Sequence, residues 1–199
     1  MTHGLRIIVN LVTMSAGYKV YDHQLPHFVT STVVGWVDAL SRSMYKDIIC
    51  ESLNYCRQHK GLKLHAWVIM NNHFHLIISA ADSATIGGLM RDIKKYTASS
   101  IIKAIGNNTQ ESRKEWMLNY FKHSGTVNNS NTEYQFWQQD YHPVALDTQE
   151  KFLQRMNYLH NNPVRAGIAW EAHHYKYSSA KDYYENKAGL IEIDKLLLY

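Results

Sequence analysis

Two imidazoles, His73 and His75, flank Phe74 within the run Trp67-Val-Ile-Met-Asn-Asn-His-Phe-His-Leu-Ile-Ile-Ser79, which otherwise has the composition of a buried strand. Side chains alternate across a strand, so both project from one face, about 6.5–7 Å apart, while Phe74, Leu76 and Ile78 point the other way. Neutral imidazoles at that separation can share one divalent metal ion. The same spacing admits two histidines facing solvent or satisfied in the core, in a chain with 12 of them. A second set comes late: Tyr158 and Asn162, four apart and so one above the other on a helix, with Arg155 one turn earlier. A phenol with a pKa of about 10 is a poor nucleophile until a base, a cation or a metal-bound electrophile stands beside it. Arg155 can supply the positive field and the Asn162 amide an oxygen ligand. Packing of Tyr158 at a helix–sheet boundary, with Asn162 as a cap, fits the same spacing, and the pattern alone leaves both readings open.

The elements that must position these residues are readable from periodicity. The β-branched run 28–37 predicts a strand. A helix follows over Ser43 to His59, its inner stripe Tyr45, Ile49, Leu53 and Cys56, with Arg57, His59 and Lys60 at its C-terminal dipole and Gly61 as the stop. Leu62 to Met70 predicts a strand in which Leu62, Leu64, Ala66, Val68 and Met70 share a face. Asn71-Asn72 predicts a tight turn through the tolerance of Asn for positive φ, and His73 to Ala80 the returning antiparallel strand. A helix over Thr85 to Ile105 buries Ile86, Leu89, Met90, Ile93 and Thr97 and turns Arg91, Lys94 and Lys95 outward, as phosphate contacts or as a solvated face. Residues 107–133 read as an insertion, with a short helix over Glu111 to His123 and a polar loop. Tyr134 to Leu146 holds an edge strand broken by Pro143. Asp147 and Glu150 predict a capping box for a helix from Thr148 to Asn161, ended by Asn162-Pro163. On that helix Phe152, Met156 and Leu159 form the apolar stripe, beside Lys151, Arg155, Tyr158 and Asn162. A last short helix is expected over Ser178 to Tyr184. This order predicts an α+β, ferredoxin-like split βαβ antiparallel sheet with helices on one face and an extra C-terminal helix.

Composition sets the bounds. The 199 residues suit one domain, with 1–25 as an N-terminal extension and 168–199 as a tail. A net charge of +4 is compatible with a polyanionic partner, and 14 Tyr with 5 Trp offer rings that can stack on bases or fill a core. Cys50 and Cys56 match no metal-knuckle spacing and read as buried thiols in a reducing compartment. No signal peptide or membrane span is apparent, so a cytoplasmic protein is expected.

The combination of His73-Phe74-His75, the helix bearing Tyr158 and Asn162-Pro163-Val164-Arg165-Ala166-Gly167 resembles the single-tyrosine HUH transposases, and more closely their REP-associated tyrosine transposase branch. Phe136-Trp137-Gln138-Gln139-Asp140, the run Asn157 to Pro163 and Tyr175-Lys176-Tyr177-Ser178-Ser179-Ala180 match that branch too, so the resemblance covers about 28–184. It implies Mg²⁺ or Mn²⁺ held by His73, His75 and Asn162, with Tyr158 as nucleophile; Tyr96 does not occupy the motif position. The implied activity is cleavage and strand transfer of hairpin-flanked single-stranded DNA, serving DNA transposition and recombination, through a 5′-phosphotyrosine link. Single-stranded DNA would lie across the sheet and along the basic helix, on Arg91, Lys94, Lys95, Arg155 and Arg165. The chain would act as a monomer or a homodimer. A domesticated, non-catalytic DNA-binding protein of the same fold is the alternative. Two departures stand out: Asn71 replaces the proline usual before Asn-His, and the 107–133 insertion is longer than in compact relatives.

Overall fold

The structure, a computed structural model, describes residues 20, 22–127, 133–139 and 142–196. Most of the expected extension 1–25, the tip of the polar loop and Asp140 of the Phe136–Asp140 motif lie outside the described residues. The elements run β1 (His27–Thr32), α1 (Ser43–His59), β2 (Leu62–Ile69), β3 (His73–Ala80), α2 (Ile86–Asn107), α3 (Lys114–Thr126), β4 (Val144–Ala145), α4 (Gln149–His160), α5 (Asn162–Arg165) and α6 (Ala180–Tyr184). The antiparallel sheet has the order β2-β3-β1-β4, the ferredoxin-like arrangement, with β4 on the edge as Pro143 implied.

Helix α1 has the predicted bounds because its signals agree. Tyr45, Ile49, Leu53 and Cys56 are all buried, Arg57 and His59 sit in the last turn, and Gly61 takes φ 71° just beyond. Cys50 and Cys56 are free buried thiols, and burial pushes the Cys50 thiol up to about 12. In α2 the Thr85 hydroxyl caps by accepting the Gly88 N–H, and the five predicted inward residues are buried. Helix α3 begins later than Glu111 because that carboxylate is committed to a turn, accepting from Arg42 Nε at 2.6 Å. None of the described helices is long and apolar enough to cross a membrane.

Four expectations need correction. Strand β1 stops at Thr32 because the chain turns through a 3₁₀ segment, Val34–Trp36, in which Gly35 and Trp36 both take positive φ. In β2 a bulge between Leu64 and Ala66 reverses the alternation. Leu62 and Leu64 therefore share a face with Trp67 and Ile69, while Ala66 and Val68 look the other way with His75. The Asn71-Asn72 turn uses no positive φ; it is stapled by the Val33 and Leu40 N–H groups donating to the Asn72 and Asn71 carbonyls, both at 2.8 Å. Asn71 Oδ1 also accepts from the buried Lys46 ammonium at 3.1 Å, a bond that proline in that position could not make. Finally, Thr148 rather than Asp147 caps α4, accepting the Lys151 N–H; Asp147 pairs with the Lys151 ammonium instead.

Both faces of the central sheet are covered, so β3 is buried from Phe74 to Ala80 and the sheet is no open platform for DNA. Phe74, Leu76 and Ile78 look toward α1 and α2, where Phe74 meets Trp137 and the Trp137 indole N–H donates to Thr97 Oγ1 of α2 at 3.0 Å. The predicted strand over 134–146 is reduced to an isolated Val33–Trp137 bridge and the two residues of β4. Helix α4 packs on the other face, the one that carries His75.

Candidate active site

Strand pairing puts His73 opposite Thr32, and His75 between Thr30 of β1 and Val68 of β2. The two imidazole centroids lie 4.7 Å apart. Thr30 Oγ1 is 2.7 Å from His75 Nδ1, and Asn72 Oδ1 is 2.6 Å from His73 Nδ1. If each ring donates its Nδ1 proton to that oxygen, its Nε2 lone pair is turned to the common space. Burial holds the His75 imidazole down to about 3, helped by His73 and by the Arg155 charge; burial also lowers His73, opposed by a hydrogen bond with the Asn162 side chain that favours the protonated ring. Both rings are therefore neutral at pH 7, the form that binds a metal.

His75 Nε2 is buried and has no hydrogen-bond partner. Leaving such a nitrogen unmatched costs about 1–3 kcal/mol, which a metal ion at that atom would offset. Two neutral imidazoles with an amide beside one of them can hold a divalent metal ion and leave its other positions open.

Tyr158 comes to the same place from α4. Its ring lies 5.5 Å from the His75 ring and 6.0 Å from Phe28, whose own ring stacks on His75 at 5.1 Å. The Arg155 guanidinium sits 5.2 Å from the Phe28 centroid and the Arg165 guanidinium 5.6 Å from that of Tyr158. Helix α4 ends at His160, and Asn162 opens the new turn α5 rather than lying outside helix. Pro163 fits there because an N–H in the first turn needs no partner within the helix. That restart delivers the Asn162 amide to the His73 ring.

The site thus gathers His73, His75, Asn162, Tyr158, Arg155 and Arg165 in one chain. Arg91, Lys94 and Lys95 are elsewhere: they lie on α2, across the sheet, lining a groove of about 930 Å³ against residues 133–139. Lys94 donates there to the Gln138 and Gln139 carbonyls at 2.6 and 3.2 Å. A separate cluster, Glu171, His173 and His174, brings ligand atoms within 4.8 Å of one another, but it includes none of these residues.

Sequence reasoning missed the groups that orient the site. Thr30 is identified only by the β1–β3 register, whereas Asn72 could have been found by its adjacency to His73. His160 was missed as well: its Nε2 is 2.9 Å from Ser179 Oγ, which accepts the Trp67 N–H of β2 at 2.9 Å. Tyr177 and Ser179 meanwhile pair with the β2 backbone, at Ile69 and Trp67.

Comparisons with known proteins place the chain in a transposase family. The model of the family described as "Transposase IS200 like" matches residues 27–134, more than half of the chain, and the protein belongs to that family. The match includes both histidines and stops short of Tyr158. Among solved structures, the chain is similar to a REP-associated tyrosine transposase bound to a REP hairpin, at TM-score 0.59 and 15% identity, over 94% of this chain and 95% of that one. At that identity the likeness is one of fold. A candidate transposase from Deinococcus radiodurans R1 aligns at TM-score 0.43 and 18% identity, over 72% of this chain and 94% of that one. No protein of curated function matches.

Proposed function

We propose that this IS200-like transposase is a REP-associated tyrosine transposase that cuts and rejoins hairpin-flanked single-stranded DNA, with Tyr158 as nucleophile and His73, His75 and Asn162 as metal ligands. The observation that carries the reading is the meeting of Tyr158 with two neutral imidazoles, one bearing an unpartnered buried nitrogen. The hairpin as substrate rests on the REP hairpin held by the transposase of similar fold. Because the groups come from one chain, the site works in cis. The chain reads as one HUH domain with 107–133 as an insertion.

The Tyr158 phenol loses its proton and its oxygen bonds to phosphorus. The bond from phosphorus to the 3′ oxygen breaks, that oxygen takes up a proton, and the 5′ phosphate stays on the tyrosine. Arg165, beside the ring, favours the developing phenolate, and Arg155 offsets phosphate charge. Bound Mg²⁺ or Mn²⁺ supplies Lewis-acid polarisation of the phosphoryl oxygens. Since the phosphodiester energy is kept in the tyrosyl ester, attack by a second 3′-hydroxyl reverses the step and joins new ends.

Hairpin-bearing single-stranded DNA with Mn²⁺ gives the test. Wild-type protein forms an adduct that survives denaturing electrophoresis, and Tyr158→Phe forms none. His73→Ala loses cleavage while retaining salt-sensitive DNA binding. Adduct formation by Tyr158→Phe refutes the nucleophile, full activity of His73→Ala refutes the metal assignment, and DNA binding without cleavage in any divalent metal favours the non-catalytic alternative.

A further inference from the structure

Trp36 combines three unusual properties. It is 62% exposed, it takes φ 59°, and its ring lies 6.3 Å from that of His73. Left-handed backbone at a bulky residue is strained and persists only where its surroundings enforce it; such strain clusters at functional sites. Here the enforcement is visible. The Trp36 N–H donates to the Val33 carbonyl at 3.0 Å, and Asn72 Nδ2 donates to the Trp36 carbonyl at 3.2 Å. The other atom of that amide, Oδ1, faces His73 Nδ1, so one side chain ties the His73 ring to the Trp36 backbone.

The preceding residue, Gly35, at φ 62°, leaves no room for a side chain: a methyl group would collide with the Tyr120 hydroxyl of α3. Tyr120 in turn stacks on Trp116, one turn earlier, with centroids 5.9 Å apart and planes 23° from parallel. Trp116 is 54% exposed. Rings thus stand on both sides of the Gly35–Tyr120 packing: Trp36 beside His73, and the Trp116–Tyr120 stack on the helix of the 107–133 insertion.

We propose that Trp36, Tyr120 and Trp116 form a stacking track for the bases of single-stranded DNA next to the cleavage site. This rests on the reading of the site given above. Single-stranded DNA is the occupant because Trp36 adjoins His73, one of the residues that would hold its scissile phosphate, and because exposed rings accept the π-face of any base. Double-stranded hairpin stems hide those faces, so the track addresses the unpaired flank. The insertion then has a role in substrate length rather than in chemistry.

The experiment uses the full chain carrying Tyr158→Phe and a labelled single strand of about 16 nucleotides, with affinity read by anisotropy over a range of salt. Trp36→Ala and Trp116→Ala each weaken binding about tenfold, and Trp36→Phe keeps it within about threefold. The slope of log affinity against log salt stays unchanged, since no phosphate contact is lost. Wild-type affinity in both alanine variants overturns the track, as does a loss that Phe does not rescue or that lowers the salt slope. An effect confined to the oligomeric state overturns it too and makes the strip a contact between copies. The adduct assay on the otherwise unmodified protein separates the two levels. A normal adduct with unaltered alanine variants removes the track alone, whereas no adduct in any metal removes the reading beneath it.

Discussion

Replacing Thr30 by valine removes the hydroxyl beside His75 Nδ1, and should weaken metal binding at the proposed site. In the native chain Thr30 Oγ1 lies 2.7 Å from His75 Nδ1, and when it accepts that nitrogen's proton Nε2 is left free. Without that oxygen the buried ring has two choices. It keeps its proton on Nδ1 without a partner, or it moves the proton to Nε2 and closes the lone pair aimed at the metal. Either costs about 1–3 kcal/mol, the range for an unsatisfied buried polar group. At ~1.4 kcal/mol per tenfold, metal affinity falls by between about five- and 150-fold, which brackets the 10–100-fold typical of a lost outer hydrogen bond to a ligand. Calorimetric titration of the full chain with Mn²⁺ measures it, with Thr30→Ser as the control that restores the oxygen. The reasoning fails if Thr30→Val binds Mn²⁺ within twofold of wild type, or if Thr30→Ser is as impaired as Thr30→Val.

Three further outcomes are expected. Burial lowers the pKa of His160 to about 4, and burial also lowers that of His65. The unfolded chain, with imidazoles at about 6.5, then binds more protons in acid, so stability is complete above that value and falls toward pH 4 by up to ~1.4 kcal/mol per unit for each ring; equal urea midpoints at about pH 7.5 and pH 5 would contradict this. Gly35→Ala forces a side chain onto φ 62° and against Tyr120, and should destabilise by about 1–3 kcal/mol, with Tyr120→Phe giving little relief because the backbone strain remains; an unchanged thermal melt rejects it. Ser179→Ala cuts the bonds to His160 and to Trp67 and should slow adduct formation about tenfold while leaving Mn²⁺ affinity intact, through mispositioning of α4; a wild-type adduct rate would show that the tether is irrelevant to geometry.

How far the sequence reveals this arrangement depends on the range of the forces involved. The ends of α1 were legible because stripe, dipole charges and Gly61 are all local to it. The shared face of His73 and His75 followed from strand periodicity alone. The end of β1 was not legible: Val33, Val34 and Val37 favour a strand, yet the chain leaves the sheet where Gly35 packs on Tyr120, a residue 85 positions away (120 − 35). The parity of β2 was misread for a similar reason. Its bulge turns His65 to bond Ser79 Oγ at 2.9 Å and the Asp194 carbonyl at 2.7 Å, partners that periodicity cannot supply. The basic residues divide in the same way. Composition marks Arg91, Lys94, Lys95, Arg155 and Arg165 alike, and only topology separates those on α2 from those beside Tyr158.

The motif residues without chemistry of their own account for the placement of Tyr158. Three of the contacts that hold α4 and the α5 turn to the sheet are those of Arg155 and Tyr158 on Phe28, of Asn162 on His73, and of His160 through Ser179 to Trp67. The third requires the Tyr177–Ser179 segment to lie along the edge of β2, where Tyr175 Oη also donates to the Ile69 carbonyl at 2.8 Å. The aromatic tail thus ties the end of α4 to β2. Reactivity falls steeply with ångström-scale displacement of a nucleophile, so these tethers matter as much as the ligands. They also bear on assembly. Exchange of α4 between two copies would break all three contacts and need their replacement from the partner. Dimerisation that leaves α4 on its own sheet breaks none of them.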